Sequence, residues 1–233
     1  MYPDTSTYSN TRRRRGRLLR MTRKRLSRED SREQTTQRLL DAAQKLIARK
    51  GLDAASVENI AAAAGYSRGA FYSNFSSKDD LFIELLRRDH QKGMAELNAL
   101  RMSEVSIDEV QQRARDIYGQ MFRDNESFMN WTEARMLAAR DARFRAKLEA
   151  LMAEKRGQIA TFIQYFHDRV GVPPALPPEK MAMGFMSLAE GVKLFMMSSP
   201  TEMTPPTAEA LLSLFVDSIM KLARQEAEST SGK

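Results

Sequence analysis

Cysteine is absent from the 233 residues, which excludes disulfides, thiol nucleophiles and thiolate metal sites together. Only two histidines occur, His90 and His167. No HExxH pair and no phosphate-cradling glycine loop accompanies them, so the sequence carries no enzyme signature and implies no cofactor or metal. Glycine (11) and proline (8) are scarce, and runs rich in Val, Ile and Thr are nearly missing, which argues against strands. No apolar run approaches the roughly 18 residues that a bilayer span needs. The Arg-rich start is followed by only Leu18 and Leu19, too little for the core of a secretory signal. A cytoplasmic protein with no membrane association is the expectation.

What remains is rich in Ala, Leu, Met, Glu, Arg and Lys, the strong helix formers, so the expected fold class is all-α. Charge is unevenly placed. Residues 1–34 hold eleven Lys/Arg against four Asp/Glu, while residues 35–233 hold 26 of each, so the whole net charge of +7 sits at one end. A basic arm on a neutral body points to a polyanion, and nucleic acid is the commonest one. Residues 1–31 lack hydrophobic periodicity and read as a flexible basic arm. A passive tail, or translation starting at Met21, remains the alternative.

From Ser31 the spacing turns helical. Leu39, Leu40, Ala43, Leu46 and Ile47 predict a helix over about 33–50 that stops at Gly51. Ser56 caps a short helix through Ala64, and Gly65 ends it. Ser67 caps another, 68–74, with Phe71 and Phe75 facing inward. Ser77 caps a fourth, with Asp79 and Asp80 at the positive end of its dipole, running towards Leu100. Five more follow, near 106–124, 126–139, 141–169, 178–198 and 206–227, with prolines between the last three. About nine helices result. Three domains are expected: the arm 1–31, a three-helix reading head 32–92, and a helical body 93–228.

Two short capped helices joined by a glycine turn make a helix-turn-helix. The alanine run 61–64 gives the first helix a thin surface on which the second can lie close. Ser67 exposes a helix N-terminus suited to a phosphate. Arg68, Gly69, Ala70, Tyr72, Ser73 and Asn74 turn outward. Arg68 matches the O6/N7 edge of guanine, and Gly69 and Ala70 permit close approach.

Residues 36–82 resemble the DNA-binding domain of the TetR family of regulators. The matching features are Leu39–Leu40 with Ala42–Ala43, Gly51, Ser56-Val57 with Ile60-Ala61, Ala64-Gly65, Ser67 with Gly69, Phe71-Tyr72, Phe75, and Lys78 with Leu81. The resemblance implies phosphate contacts from Ser56, Tyr72 and Lys78, base contacts from Arg68 and Ala70, and Ser73 and Asn74 close to either. Beyond this stretch the likeness is one of length and helical pattern. It implies a ligand-responsive regulator, most often a repressor, that binds a near-palindromic DNA operator as a homodimer. A DNA-binding protein without an effector shares the same reading head and stays open.

The later helices carry the expectations for assembly and ligand. Segments 179–198 and 208–223 are apolar on so many sides that they need cover beyond their own core. Pairing with a second copy answers that need, with Phe185, Val192, Phe195, Leu212, Phe215, Val216 and Ile219 as interface candidates. Central helices of a monomer are the other reading. Twelve of the fifteen methionines lie between Met102 and Met220, and Met lines adaptable sites as well as cores. Phe122, Phe128, Trp131, Met136, Phe162, Tyr165, Phe166, Met183 and Met186 are the candidate lining of a mostly apolar pocket for a hydrophobic or aromatic effector.

Deleting residues 1–30 is expected to leave the fold intact and to lower DNA affinity and its salt dependence together. Every phosphate that the arm no longer neutralises reduces the slope of log affinity against log salt by about 0.9. An unchanged slope in a salt titration would make the arm a passive tail.

Overall fold

The computed structural model describes residues 27–121 and 124–231, with side chains at all of these except 118, 120, 121 and 219–231. The basic arm therefore lies outside the described residues except for its last few positions, and Phe122 lies outside them too. Among the described residues there are nine α-helices and no strand, and no helix is long and apolar enough to cross a membrane.

Helix α1 (Arg28–Lys50) begins earlier than the hydrophobic spacing suggests. Ser27 and Asp30 form a reciprocal capping box, Asp30 N–H donating to Ser27 Oγ at 3.0 Å and Ser27 N–H to Asp30 Oδ2 at 3.1 Å. The first two turns are exposed, so capping alone starts this helix, where periodicity has nothing to report. The deletion that spares α1 accordingly stops at residue 26.

Helices α2 (Val57–Ala64) and α3 (Arg68–Tyr72) start where Ser56 and Ser67 accept the amides of Asn59 and Ala70. Gly65 lies between them at φ 79°, ψ 26°, a left-handed conformation that side-chain-bearing residues adopt only at a cost. Helix α4 (Lys78–Arg101) is capped by Ser77. Then come α5 (Ile107–Met121), α6 (Asn125–Arg140), α7 (Ala142–Val170), α8 (Pro178–Ser198) and α9 (Pro205–Ser231).

Two hydrophobic cores result. The first gathers Leu39, Leu40 and Ile47 of α1, Ile60 of α2, Phe71 of α3 and Leu81 to Leu86 of α4. It also includes Ala134 and Ala138 of α6 and Phe144, Leu148 and Leu151 of α7. The second joins Met94, Leu97 and Leu100 of α4 to Val110 and Ala114 of α5, Ile159 to Phe166 of α7, Phe185 and Val192 of α8, and Leu212 of α9. Helices α4 and α7 therefore run unbroken through both cores. The boundary expected at 92/93 falls inside α4, where its buried face passes from one core to the other.

Between the cores sit polar groups. His90 is only 4% exposed, and burial, reinforced by the positive charge of Lys155, lowers its pKa to about 4. Asp89 beside it is pushed upward by burial, against the pull of a hydrogen bond from Ser127.

A histidine held neutral in the fold favours the native state fully above its unfolded pKa of about 6.5, and that stability is lost as pH falls towards about 4. The melting temperature should therefore drop across this window, by the equivalent of on the order of 3 kcal/mol. Asp89 acts with the opposite sign, so the difference between wild type and His90→Gln isolates the effect. A variant with the same pH slope as wild type would show that His90 is not the group responsible.

Candidate nucleic-acid interface and ligand cavity

The capping physics that starts α3 also presents it. Ser67, Arg68, Gly69, Tyr72 and Ser73 are exposed, and Ser56, Ala70, Asn74 and Lys78 are half-buried. All nine candidates lie on or beside the helix-turn-helix. Phe71 is fully buried, its ring edge-on to Tyr72 at 5.3 Å, so the core fixes the side of α3 that faces out. The Ser56 and Ser67 hydroxyl oxygens already accept backbone amides, which leaves each hydroxyl proton to donate outward. Beyond Gly69 there is open space apart from Ser67 Oγ, 3.7 Å from where a Cβ would lie.

Three candidates are tied down within the protein. Asn74 accepts from Thr36 Oγ1 at 3.0 Å and donates to Ala70 O at 2.8 Å, so its amide locks α3 to α1. Lys78 Nζ donates to Leu52 O at 2.6 Å and reaches Asp53 O at 3.5 Å, holding the loop after α1. Ser73 Oγ donates to Gly69 O at 2.9 Å. Arg68 is the exposed cation of the helix. Its guanidinium lies 2.9 Å from Glu58 Oε1 and 5.5 Å from the centre of the Tyr72 ring. Glu58 is a residue that sequence reasoning misses, although its place on the first turn of α2 puts it beside the start of α3.

Behind the reading head, three hollows surround Phe185, which lines each of them. One of about 170 Å³ lies among α4, α6, α7 and α8. A narrow apolar slot of about 70 Å³ is walled by Phe162, Phe166, Phe185 and Phe215. A third, of about 610 Å³, lies between α5, α8 and α9. Of the candidate lining, Phe128, Trp131 and Met186 border the first hollow, and Phe162 and Phe166 the second. Tyr165 is half-buried against the second core, where Arg169 donates to its hydroxyl at 3.0 Å. Met136 and Met183 are exposed and line none of the three.

The first hollow is mostly apolar in its lining but carries charged groups at its border. Asp89, His90, Lys155, Glu190 and Lys193 border it. Lys155 Nζ sits 4.4 Å from the centre of the Trp131 ring, its pKa lowered chiefly by burial. Lys193, 4% exposed, donates to Asn125 Oδ1 at 2.7 Å and is lowered by burial too. Glu190 pairs with Arg135 of α6. A sequence signal for these groups exists: His90 stands four residues from both Leu86 and Met94, and Lys155 four from both Leu151 and Ile159. Each charge occupies a place where the 3.6-residue period expects a core side chain.

The assembly candidates divide. Phe185, Val192 and Leu212 are buried within the single chain, and Phe215 and Val216 are half-buried against the second core. The side chain of Ile219 lies outside the described residues. Only Phe195, 57% exposed, projects openly. The open apolar side of α8 and α9 is instead Met183, Leu194, Met197, Leu211 and Leu214. Phe185 and Val192, seven residues apart, share the side turned to α7, while Met183 and Leu194 lie on the opposite one. Helices apolar all round do not declare in sequence which side is which.

The model of bacterial regulatory proteins of the tetR family matches residues 39–85, the span from the middle of α1 to the first turns of α4. The HTH-type transcriptional regulator YwcC of Bacillus subtilis, itself uncharacterized, is 27% identical over 69% of this chain and 75% of its own length. The transcriptional repressor AcnR of Corynebacterium glutamicum is 32% identical over 48% of this chain and 54% of its own. A solved TetR-family regulator from Rhodococcus sp. superposes with a TM-score of 0.70 at 22% identity, covering 81% of this chain and 99% of that one. A capped helix-turn-helix with an open α3, within the stretch that the family model matches, leads to one conclusion: residues 39–85 carry the DNA-binding domain of the tetR family of bacterial regulatory proteins, on an all-helical body with the fold of solved TetR-family regulators.

Proposed function

We propose that the protein is a cytoplasmic, ligand-responsive repressor that grips a near-palindromic operator as a homodimer. Its reading head spans about residues 32–92 and its effector-binding and dimerising body about 93–228. The observation that carries this reading is α6, which borders the ligand cavity and the reading head at once. Phe128 and Trp131 of α6 line the hollow. Asn130, between them and the head, donates to Gln44 O of α1 at 3.2 Å, and Glu133 accepts the Leu52 amide at 2.8 Å. An occupant that moves α6 moves the loop on which α1 and α2 pivot. In a dimer with one recognition helix per major groove, half-sites lie one or more helical turns apart. A small change in the spacing of the heads then prevents both from seating, and by linkage DNA weakens effector binding equally.

Within the head, Arg68 is the base-reading residue, exchanging Glu58 for a guanine edge. Ser56, Ser67 and Tyr72 hold phosphates, and Gly69 and Ala70 allow the approach. Asn74 and Lys78 brace the motif from behind, and the exposed Ser73 stays beside the DNA. For assembly, the open stripe of Met183, Leu194, Met197, Leu211 and Leu214 packs against its mate. Ser187 and Gly191 on the same helix leave room for close approach.

Selection of bound duplexes from a random library tests the reading directly, with an inverted repeat as the expected product. On that duplex, Arg68→Ala should cost about 1–3 kcal/mol at one position and relax its preference there. Asn74→Ala should lower stability by about 1 kcal/mol and leave base preference intact. If Arg68→Ala weakens all sequences evenly, or Asn74→Ala alters preference, the assignments within the head are wrong.

Leu214→Glu places a charge at the centre of the proposed interface, where burial without a partner costs several kcal/mol. Sedimentation should show monomer, and operator affinity should fall with it. A variant that stays dimeric and bound would put the interface elsewhere.

A further inference from the structure

The hollow bordered by α4, α6, α7 and α8 is faced by three polar side chains with bonding capacity to spare: Asp89 is already bonded to Ser127 and His90 to Gln158, each through one atom only. Lys155 Nζ faces the Trp131 ring and has no hydrogen-bond acceptor among the described residues. The nearest opposite charge, Glu190, is held by Arg135. Asp89 Oδ2 is buried with no donor, and so is His90 Nε2, on a side chain that is 4% exposed. Buried polar atoms in native proteins are nearly always matched, so Asp89 Oδ2 and His90 Nε2 call for a partner, and the half-buried Lys155 ammonium faces the same hollow. Here the three lie around one hollow of about 170 Å³, room for about a dozen non-hydrogen atoms at the ~10–15 Å³ that one water-sized probe occupies.

The requirement is specific. Lys155 needs an acceptor, preferably an anionic one, because a charged pair makes the stronger hydrogen bond. Asp89 needs a donor. A simple carboxylate would satisfy Lys155 and meet Asp89 with repulsion. A simple amine would satisfy Asp89, with Asp124 and Glu190 also bordering the hollow, but would leave Lys155 without an acceptor. A hydrocarbon would leave all three groups bare. Only a head that carries a carboxylate and a donor side by side answers both ends of the site. The other walls, Phe128, Trp131 and Met186, suit an apolar side chain.

We propose that the effector is a small α-hydroxy or α-amino acid with an apolar side chain. Its carboxylate sits on the Lys155 ammonium, its adjacent hydroxyl or ammonium donates to Asp89 Oδ2, and His90 Nε2 completes the head. This rests on the effector reading above and narrows it: the ligand is amphoteric at one end instead of apolar throughout.

The test uses the full-length protein, with Trp131, the only tryptophan, as reporter. Four probes of one shape are titrated: L-phenyllactate, L-phenylalanine, 3-phenylpropionate, which lacks the donor, and 2-phenylethylamine, which lacks the carboxylate. At least one of the first two should bind roughly tenfold or more tighter than either of the others, the worth of one hydrogen bond to a charged group. Lys155→Met should remove that preference while preserving the helical circular dichroism, and Lys155→Arg should restore part of it. Asp89→Asn keeps an acceptor and removes the charge, so it should weaken an amino acid about tenfold and a hydroxy acid far less. That contrast separates the two ligand sources. Equal binding of 3-phenylpropionate or of 2-phenylethylamine overturns the proposal, as does no saturable fluorescence change with any probe. Release of the selected operator is followed in parallel. A ligand recognised as described that leaves DNA bound refutes the effector reading alone. A purely apolar compound that releases DNA sustains that reading and refutes this head group.

Discussion

Leu52 is held from both sides by residues remote in sequence. Its amide donates to Glu133 of α6 and its carbonyl accepts from Lys78 of α4. The approach of Glu133 is possible because residue 51 has no side chain. A Cβ there would lie 3.1 Å from Glu133 Oε1, and the φ of +78° is strained for anything but glycine. An amide buried without a partner costs about 1–3 kcal/mol, so the carboxylate cannot leave without another acceptor arriving. The orientation of α2 and α3, and with it the exposed face of α3, follows from how this one loop is clamped.

The same clamp explains why the head is not independent of the body. Five of the residues in its core come from α6 and α7, and α4 and α7 continue from that core into the next. Rigid helices passing through two packed cores cannot tilt in one without repacking the other. Asn130, fully buried on α6 and bonded to Gln44 O, adds a polar tie that permits little sliding. A cavity bordered by α4, α6 and α7 is therefore placed where small displacements are felt at the reading head. This is a physical link between two sites and needs no special pathway of residues.

The parts legible in sequence are those governed by local chemistry. The ends of α2 and α3 follow from Ser56, Gly65 and Ser67, and the inward side of α3 follows from Phe71 and Phe75. The family resemblance, carried by these positions, matches the same stretch. The illegible parts depend on distant partners. Asn74 bonds to a residue 38 positions away and Lys78 to one 26 positions away, so an outward-looking polar side chain and an inward brace read alike. On α8 and α9 the apolar residues are too many for the period to choose a face. His90 and Lys155 show the converse case, in which the period placed them inside and their polarity disguised it. A polar side chain on a core stripe is the signal that marks the hollow here.

Phe185 borders all three hollows, with its ring 6.2 Å from that of Phe215. One side chain that borders all three makes their shape sensitive to a single codon. A smaller residue at 185 would enlarge both the polar hollow and the apolar slot beside it, while Asp89, His90 and Lys155 would stay where they are. The DNA-reading helix rests on the other core and does not register the change. The shape of the hollows and the exposed face of α3 can thus change independently of each other.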